Sequence, residues 1–185
     1  MRKIAMIVLF VLLAVVVVAA VCGYILVRRY YPLRYLDLVY EYADEYDLEP
    51  ALVCSVINVE SGFRSGAVSS QGATGLMQIT EGTAYWIAEK IGIKGFDYAD
   101  ITDPRLNIEI GCYFLSMLYR EYGDMDVALC AYNAGSGNVN EWLHDERYSK
   151  DGDTLDEIPF PETREYVRRI SDRQRVYAVL LRFFG

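Results

Sequence analysis

Pro50-Ala51-Leu52-Val53-Cys54-Ser55-Val56-Ile57-Asn58-Val59-Glu60-Ser61-Gly62 is the stretch on which the fold turns. Pro50 suits the first turn of a helix, where its missing N–H costs nothing. Leu52, Val53, Val56 and Ile57 recur at helical spacing, and Ser61-Gly62 stops the run. Glu60 continues the stripe of Val53, Val56 and Ile57, so the helical repeat carries a carboxyl group toward the core side. It also falls in the last turn, at the negative end of the helix dipole. Burial and dipole both disfavour the anion and raise a carboxyl pKa. A carboxylic acid still protonated near neutral pH can give its proton to a leaving oxygen. The competing reading turns Glu60 outward or pairs it with a basic residue, since charged side chains are seldom buried alone.

Helical periodicity extends outward from this stretch in both directions. Upstream, Leu36, Val39, Tyr40 and Ala43 mark a helix ending near Asp47. Downstream, residues 64–74 form a polar loop rich in Ser and Gly. Thr80 is an N-cap for a helix to about Ile91. Asp103-Pro104 reads as N-cap plus first-turn proline of a helix reaching Tyr122, with Gly123 as its stop. Asp126 is assigned as the cap of a helix through Asn133 that ends at Ala134-Gly135, and residues 139–143 as a short helix. Residues 147–161 read as a loop, and Pro161 or Glu162 opens a last helix running nearly to Phe184. No run of alternating strands interrupts the pattern, so the expectation is an all-α domain.

The amino-terminal end differs in kind. Residues 4–27 carry no charge. As a helix they span roughly 36 Å, enough for a hydrocarbon core of ~30 Å. We read residues 1–34 as a short cytoplasmic N-terminus, a transmembrane signal anchor and a juxtamembrane linker, and residues 35–185 as the soluble domain. A cleaved signal peptide is the alternative, but the apolar run exceeds an h-region of about 7–15 residues. Ala19-Ala20-Val21-Cys22 resembles a lipoprotein cleavage box only faintly, because Val21 is larger than the small residue required there. Tyr24, Tyr30, Tyr31 and Tyr35 fit an interfacial aromatic belt. Arg2, Lys3 and the terminal amine favour a cytoplasmic start, whereas Arg28 and Arg29 oppose it, so charge alone leaves orientation open.

All 26 acidic residues follow Tyr35, but only 13 of the 18 basic ones do, which leaves the domain at −13. Such a balance excludes a nucleic-acid partner. The 14% aromatic content and the periodic apolar residues exclude disorder. Cys22, Cys54, Cys112 and Cys130 form no CxxC, and His144 is the single histidine, so no metal site or other cofactor is expected. The last three cysteines read as small buried hydrophobes, with one disulfide among them as the alternative.

Three further motifs follow the Glu60 stretch in order. The stretch itself contributes Val59-Glu60-Ser61-Gly62-Phe63. Then come Ser69-Ser70-Gln71-Gly72-Ala73-Thr74-Gly75-Leu76-Met77-Gln78-Ile79, Ala131-Tyr132-Asn133-Ala134-Gly135-Ser136-Gly137-Asn138-Val139, and Glu162-Thr163-Arg164-Glu165-Tyr166-Val167. Together, over residues 47–176, they resemble the lytic transglycosylases with the SLT domain. One departure is Thr80-Glu81-Gly82-Thr83-Ala84, where that family commonly has Met-Pro-x-Thr-Ala.

The resemblance implies a lysozyme-like fold of the goose type, all-α, with a saccharide groove. It implies peptidoglycan glycan strands as substrate, cleaved between N-acetylmuramic acid and N-acetylglucosamine to leave 1,6-anhydromuramic ends. By match, Glu60 is the catalytic acid and then base. Ser69, Gln78, Tyr132, Asn133 and Tyr166 are the substrate-binding residues, with the Tyr132 hydroxyl near the acid. Their bland alternatives are a turn for Ser69, a helix stop for Asn133 and ordinary packing for Tyr166. Leu76, Met77 and Ile79 read as core, and Arg164, Arg168 and Arg169 as a solvated face. The substrate's location places the domain outside the cytoplasmic membrane on a single-pass anchor, as a monomer, with a wall-remodelling or secretion machine as the implied partner. Two other functions compete. One is a hydrolytic muramidase whose water is held by Glu81, Asp97 or Asp100. The other is a non-catalytic, membrane-anchored wall-binding protein.

Overall fold

The computed structural model describes residues 2–184 and divides into two units, Met1–Leu33 and Arg34–Gly185. The terminal amine counted above and the last residue of the soluble domain lie outside the described residues. The first unit is helix α1, Arg2–Tyr30. Its segment Leu9–Tyr30 has a mean hydropathy of 3.0 and is long and apolar enough to cross a membrane.

The second unit is built from seven helices: α2 (Leu36–Glu45), α3 (Pro50–Glu60), α4 (Glu81–Lys90), α5 (Pro104–Tyr122), α6 (Met125–Ala134), α7 (Ser136–Leu143) and α8 (Pro161–Phe184). Among the described residues there is no strand, only isolated bridges Val68–Thr74 and Thr74–Ile79 that fold the loop after α3 back on itself. The centre of the unit is α3. Eight consecutive residues, Ala51 to Asn58, are buried, because α3 is covered on several sides at once. It packs chiefly against α8, and α2 covers another side, while α5 and α6 pack together and carry α4 and α7. Leu76, Met77 and Ile79 are buried with them, as the apolar pattern implied.

Caps explain most of the boundaries. Thr80 accepts from Thr83 N, and Asp103 accepts from Arg105 N and Leu106 N. Gly123 closes α5 at φ 71°, a left-handed conformation that glycine adopts without a Cβ penalty. Three local expectations are corrected. The cap of α6 is Asp124, which accepts from Val127 N, so Asp126 sits in the first turn. Helix α7 begins at Ser136, not at 139, because Gly135 at φ 86° makes the turn between α6 and α7 in a single residue. A 3-10 turn, Tyr98–Thr102, lies where no helix was expected; Asp97 caps it by accepting from Ala99 N. Cys54, Cys112 and Cys130 are buried free thiols.

One buried side chain ties the loop after α3 to the helices. Asn107 of α5 accepts from Met77 N at 2.7 Å and donates to Thr74 O and Ile101 O at 3.0 and 2.9 Å. Gly75, at φ 87°, lies so close that any Cβ there would collide with this amide.

Candidate active site

Glu60 is the last residue of α3, and α8 crosses its carboxyl group. The Tyr166 hydroxyl donates to Glu60 Oε1 at 2.7 Å. The same two helices are locked two residues earlier on α3. There Arg173 donates to Asn58 Oδ1 and Asn58 donates to the Tyr177 hydroxyl at 3.0 Å. The Glu60 carboxyl is largely removed from water, and burial lifts its pKa from the ordinary 4.5 to about 7. The Tyr166 hydrogen bond and the nearby Arg169 guanidinium pull the other way and are outweighed. No acidic side chain among the described residues contributes to this shift.

Tyr132 of α6 is the next neighbour. Its hydroxyl donates to Met77 O at 2.8 Å, which joins α6 to the loop after α3. The Glu60 charge acts on both Tyr132 and Tyr166, and with burial it raises both phenols, so the two remain hydrogen-bond donors at any ordinary pH. Asn133 Oδ1 accepts from Thr163 at 2.8 Å. Thr163 stands one turn before Tyr166 on α8. Asn133, Ala134, Phe160, Pro161, Glu162 and Thr163 line an open cavity of about 430 Å³. That volume admits a sugar-sized ligand beside Thr163, one turn of α8 before the Tyr166 that bonds the acid.

The fold therefore gathers Glu60, Tyr132, Asn133 and Tyr166. Ser69 and Gln78 occupy the adjoining loop and are bonded to it. Ser69 Oγ accepts from Gln71 N and Ala73 N at 3.3 and 3.1 Å. Gln78 Nε2 donates to Ala67 O and Gly75 O at 3.1 and 2.9 Å, and its backbone takes φ 50°. A side chain so occupied ties the loop to itself; its Oε1 takes no part in these two bonds.

Sequence reasoning missed Thr163 and Arg169. Thr163 lies within the fourth motif, but only the packing of α8 against α6 shows that it orients Asn133. Arg169 reads as surface beside Arg168, which does pair with Glu165 and Asp172 on the solvent side. Its different role follows from its angular position, 300° beyond Tyr166 on an ideal helix of about 3.6 residues per turn.

Residues 37–154 match the family described as the Transglycosylase SLT domain, over more than half of the chain. The chain belongs to this family. The SLT domain here is 34% identical over 143 residues to the soluble lytic murein transglycosylase of Escherichia coli, a match covering 76% of this chain and 22% of that protein. It is 30% identical over 190 residues to a membrane-bound lytic murein transglycosylase C of Actinobacillus pleuropneumoniae, covering 88% of this chain and 50% of that one. The chain thus spans between a fifth and a half of the curated relatives it matches. Among solved structures, an inactive mutant of lytic transglycosylase Slt from Pseudomonas aeruginosa superposes with TM-score 0.75 at 31% identity, covering 84% of this chain and 26% of that one. The 70 kDa soluble lytic transglycosylase of E. coli gives 0.72 at 30%, covering 82% and 25%. The all-helical, lysozyme-like expectation for this SLT domain holds.

Proposed function

We propose that this protein is a peptidoglycan lytic transglycosylase that cleaves the β-1,4 bond between N-acetylmuramic acid and N-acetylglucosamine with one carboxyl group. The observation that carries this reading is Glu60, held by burial at a pKa of about 7 with the Tyr166 hydroxyl on its Oε1. An acid poised there is protonated in a useful fraction of molecules at neutral pH and is also a competent base once ionised.

Glu60 gives its proton to the glycosidic oxygen as the bond to the muramic anomeric carbon breaks. The substrate's 2-acetamido oxygen closes on that carbon and takes up the developing positive charge. Tyr166 and Arg169, which favour the ionised form, stabilise the Glu60 carboxylate left behind. That carboxylate then accepts the proton of the C6 hydroxyl as the O6 oxygen attacks the anomeric carbon, breaks its bond to the acetamido oxygen, which regains its electron pair as a neutral amide, and closes the 1,6-anhydro ring. The nucleophile is tethered to the reacting sugar, so the step gains from proximity and uses no water. Most glycosidases need a second carboxylate to act as nucleophile or to activate water. Glu81 is exposed in the first turn of α4, and Asp97 caps the 3-10 turn.

Asn133 and the cavity beside it are the site we assign to N-acetyl and hydroxyl groups of the strand. Ser69 and Gln78 shape the loop wall of the groove, with the Gln78 carbonyl oxygen facing a sugar N–H. The apolar α1 supports a single-pass anchor with the domain outside the cytoplasmic membrane, where this substrate lies. The domain boundary is set at 34/35, and the domain is monomeric. Purified peptidoglycan digested by the detergent-solubilised full chain tests the reading. Mass analysis of released muropeptides is expected to show anhydro ends. Ends carrying an added water would assign the chain as a muramidase, and no release at all would leave it a wall-binding protein.

A further inference from the structure

Helix α8 is electrically unlike the rest of its domain. It carries six arginines against Glu162, Glu165 and Asp172, whereas residues 35–160 carry seven basic and 23 acidic side chains. Its last twelve residues, 173–184, hold three arginines and no acid. That same end exposes large apolar groups: Val179 is 56% exposed, Phe183 70% and Phe184 63%. Arg175, Val179, Arg182 and Phe183 fall at i, i+4, i+7 and i+8, which is one face of the helix. All four are exposed. The opposite face, through Tyr166, Val167, Ile170 and Tyr177, is buried in the domain. A stripe of arginine, aliphatic and aromatic side chains is the composition of a helix surface that lies at a lipid headgroup boundary.

The position of this tip within the domain agrees. Ala178, Leu181 and Arg182 line a small cavity with Tyr40 of α2 and with Glu49, Pro50 and Ala51 at the start of α3. The tip therefore stands at the α2 pole. Five residues, 31–35, connect the apolar α1 to α2, and five residues reach at most ~18 Å when fully extended. If α1 spans a membrane, a bilayer surface is within range of that pole. Asp37 and Asp44 on α2 are exposed. Their charge keeps α2 out of an anionic surface and leaves contact to α8.

We propose that the carboxy-terminal tip of α8 docks into the headgroup region of an anionic bilayer through Val179 and Phe183, with Arg175 and Arg182 on the lipid phosphates. Tyr166, which holds Glu60, and Phe183 are 17 residues apart on α8, about 26 Å at ~1.5 Å per residue. Docking the tip consequently sets a ceiling on the height of the acid above the membrane. It confines cleavage to strands close to the bilayer. The proposal rests on the anchored reading of α1 and adds a second, reversible contact to it.

The test uses the full chain in lipid nanodiscs, either phosphatidylglycerol-containing or all phosphatidylcholine, with brominated acyl chains as quencher. Phe183→Trp reports the tip, read as the difference from the parent chain. Blue-shifted, bromine-quenched emission is expected in the anionic discs. Each arginine at an anionic surface is worth roughly fivefold in the docked-to-free ratio, so R175A/R182A should lower it about 30-fold. Solvent-like, unquenched emission would overturn the proposal, as would quenching no stronger with anionic lipid. Shielding from water without bromine quenching, growing with chains per disc, would mean a second copy and would overturn it too. A chain that stays outside the discs would overturn the anchor as well and is scored separately by co-elution.

Discussion

Glu60→Gln removes the ionisation that the fold opposes, and its stability should record this. The folded carboxyl titrates at about 7, against 4.5 for an ordinary one. Between those values the folded state binds more protons than the unfolded chain, so Glu60 makes stability fall as pH rises. Below about pH 4.5 the group is neutral in both states, and glutamine is a close stand-in whose carbonyl can still accept from Tyr166. Above 7 the parent chain carries a disfavoured anion and the variant does not. At about 1.4 kcal/mol per pH unit the full difference is ~3 kcal/mol, and partial exposure of the carboxyl reduces it to ~2 kcal/mol. For a domain of this size ~2 kcal/mol is roughly 4–8 °C in Tm. The tryptophan bands of the near-UV circular dichroism spectrum of the full chain in detergent follow the domain during heating, since α1 has no tryptophan. The variant and the parent should melt together at pH 4, and the variant should melt higher at pH 8. Glu109 and Asp126, whose burial also raises their pKa, are common to both proteins and cancel in the difference. Equal melting at pH 8, or a difference that does not change with pH, would refute the buried-acid argument. Turnover on peptidoglycan should be lost in the variant while glycan binding is retained.

Tyr166→Phe deletes a hydrogen bond that favours the Glu60 anion, so the pKa should rise further. The basic limb of the kcat/KM profile should move up by about one pH unit while kcat falls, checked by rates from pH 5 to 9. Asn107→Ala leaves Met77 N, Thr74 O and Ile101 O without their buried partner. A loss of ~3 kcal/mol in denaturant unfolding is expected, with a mobile loop between α3 and α4. Residues 35–185 expressed alone should remain soluble and monomeric by light scattering; aggregation would place the boundary elsewhere.

The helical class, the apolar α1 and nearly every helix end were legible in the sequence because each depends on neighbours along the chain. Asp103-Pro104, Thr80 and Gly123 act within one turn of themselves. The same locality produced the errors. Asp124 and Asp126 are both plausible caps, and only the traced backbone of α6 decides between them. The position of Glu60 on the stripe of α3 and at its negative end was also readable, and with it the direction of its pKa shift. What no local pattern contains is the identity of the groups that meet the carboxyl. Tyr166 lies 106 residues away in sequence, and the Asn58–Tyr177 bond that locks α3 to α8 spans 119.

The order of the four motifs, read in the sequence alone, determined the family, since their spacing reflects a shared set of helices. Tertiary structure decided how each polar side chain is used. It bonded Ser69 and Gln78 to their own loop, gave Thr163 to Asn133, and brought the Arg169 charge close enough to act on Glu60 while Arg168, one residue earlier, faces water. Hydrogen-bond partners and desolvation depend on distances across the core, and these exist only once α8 has closed over α3.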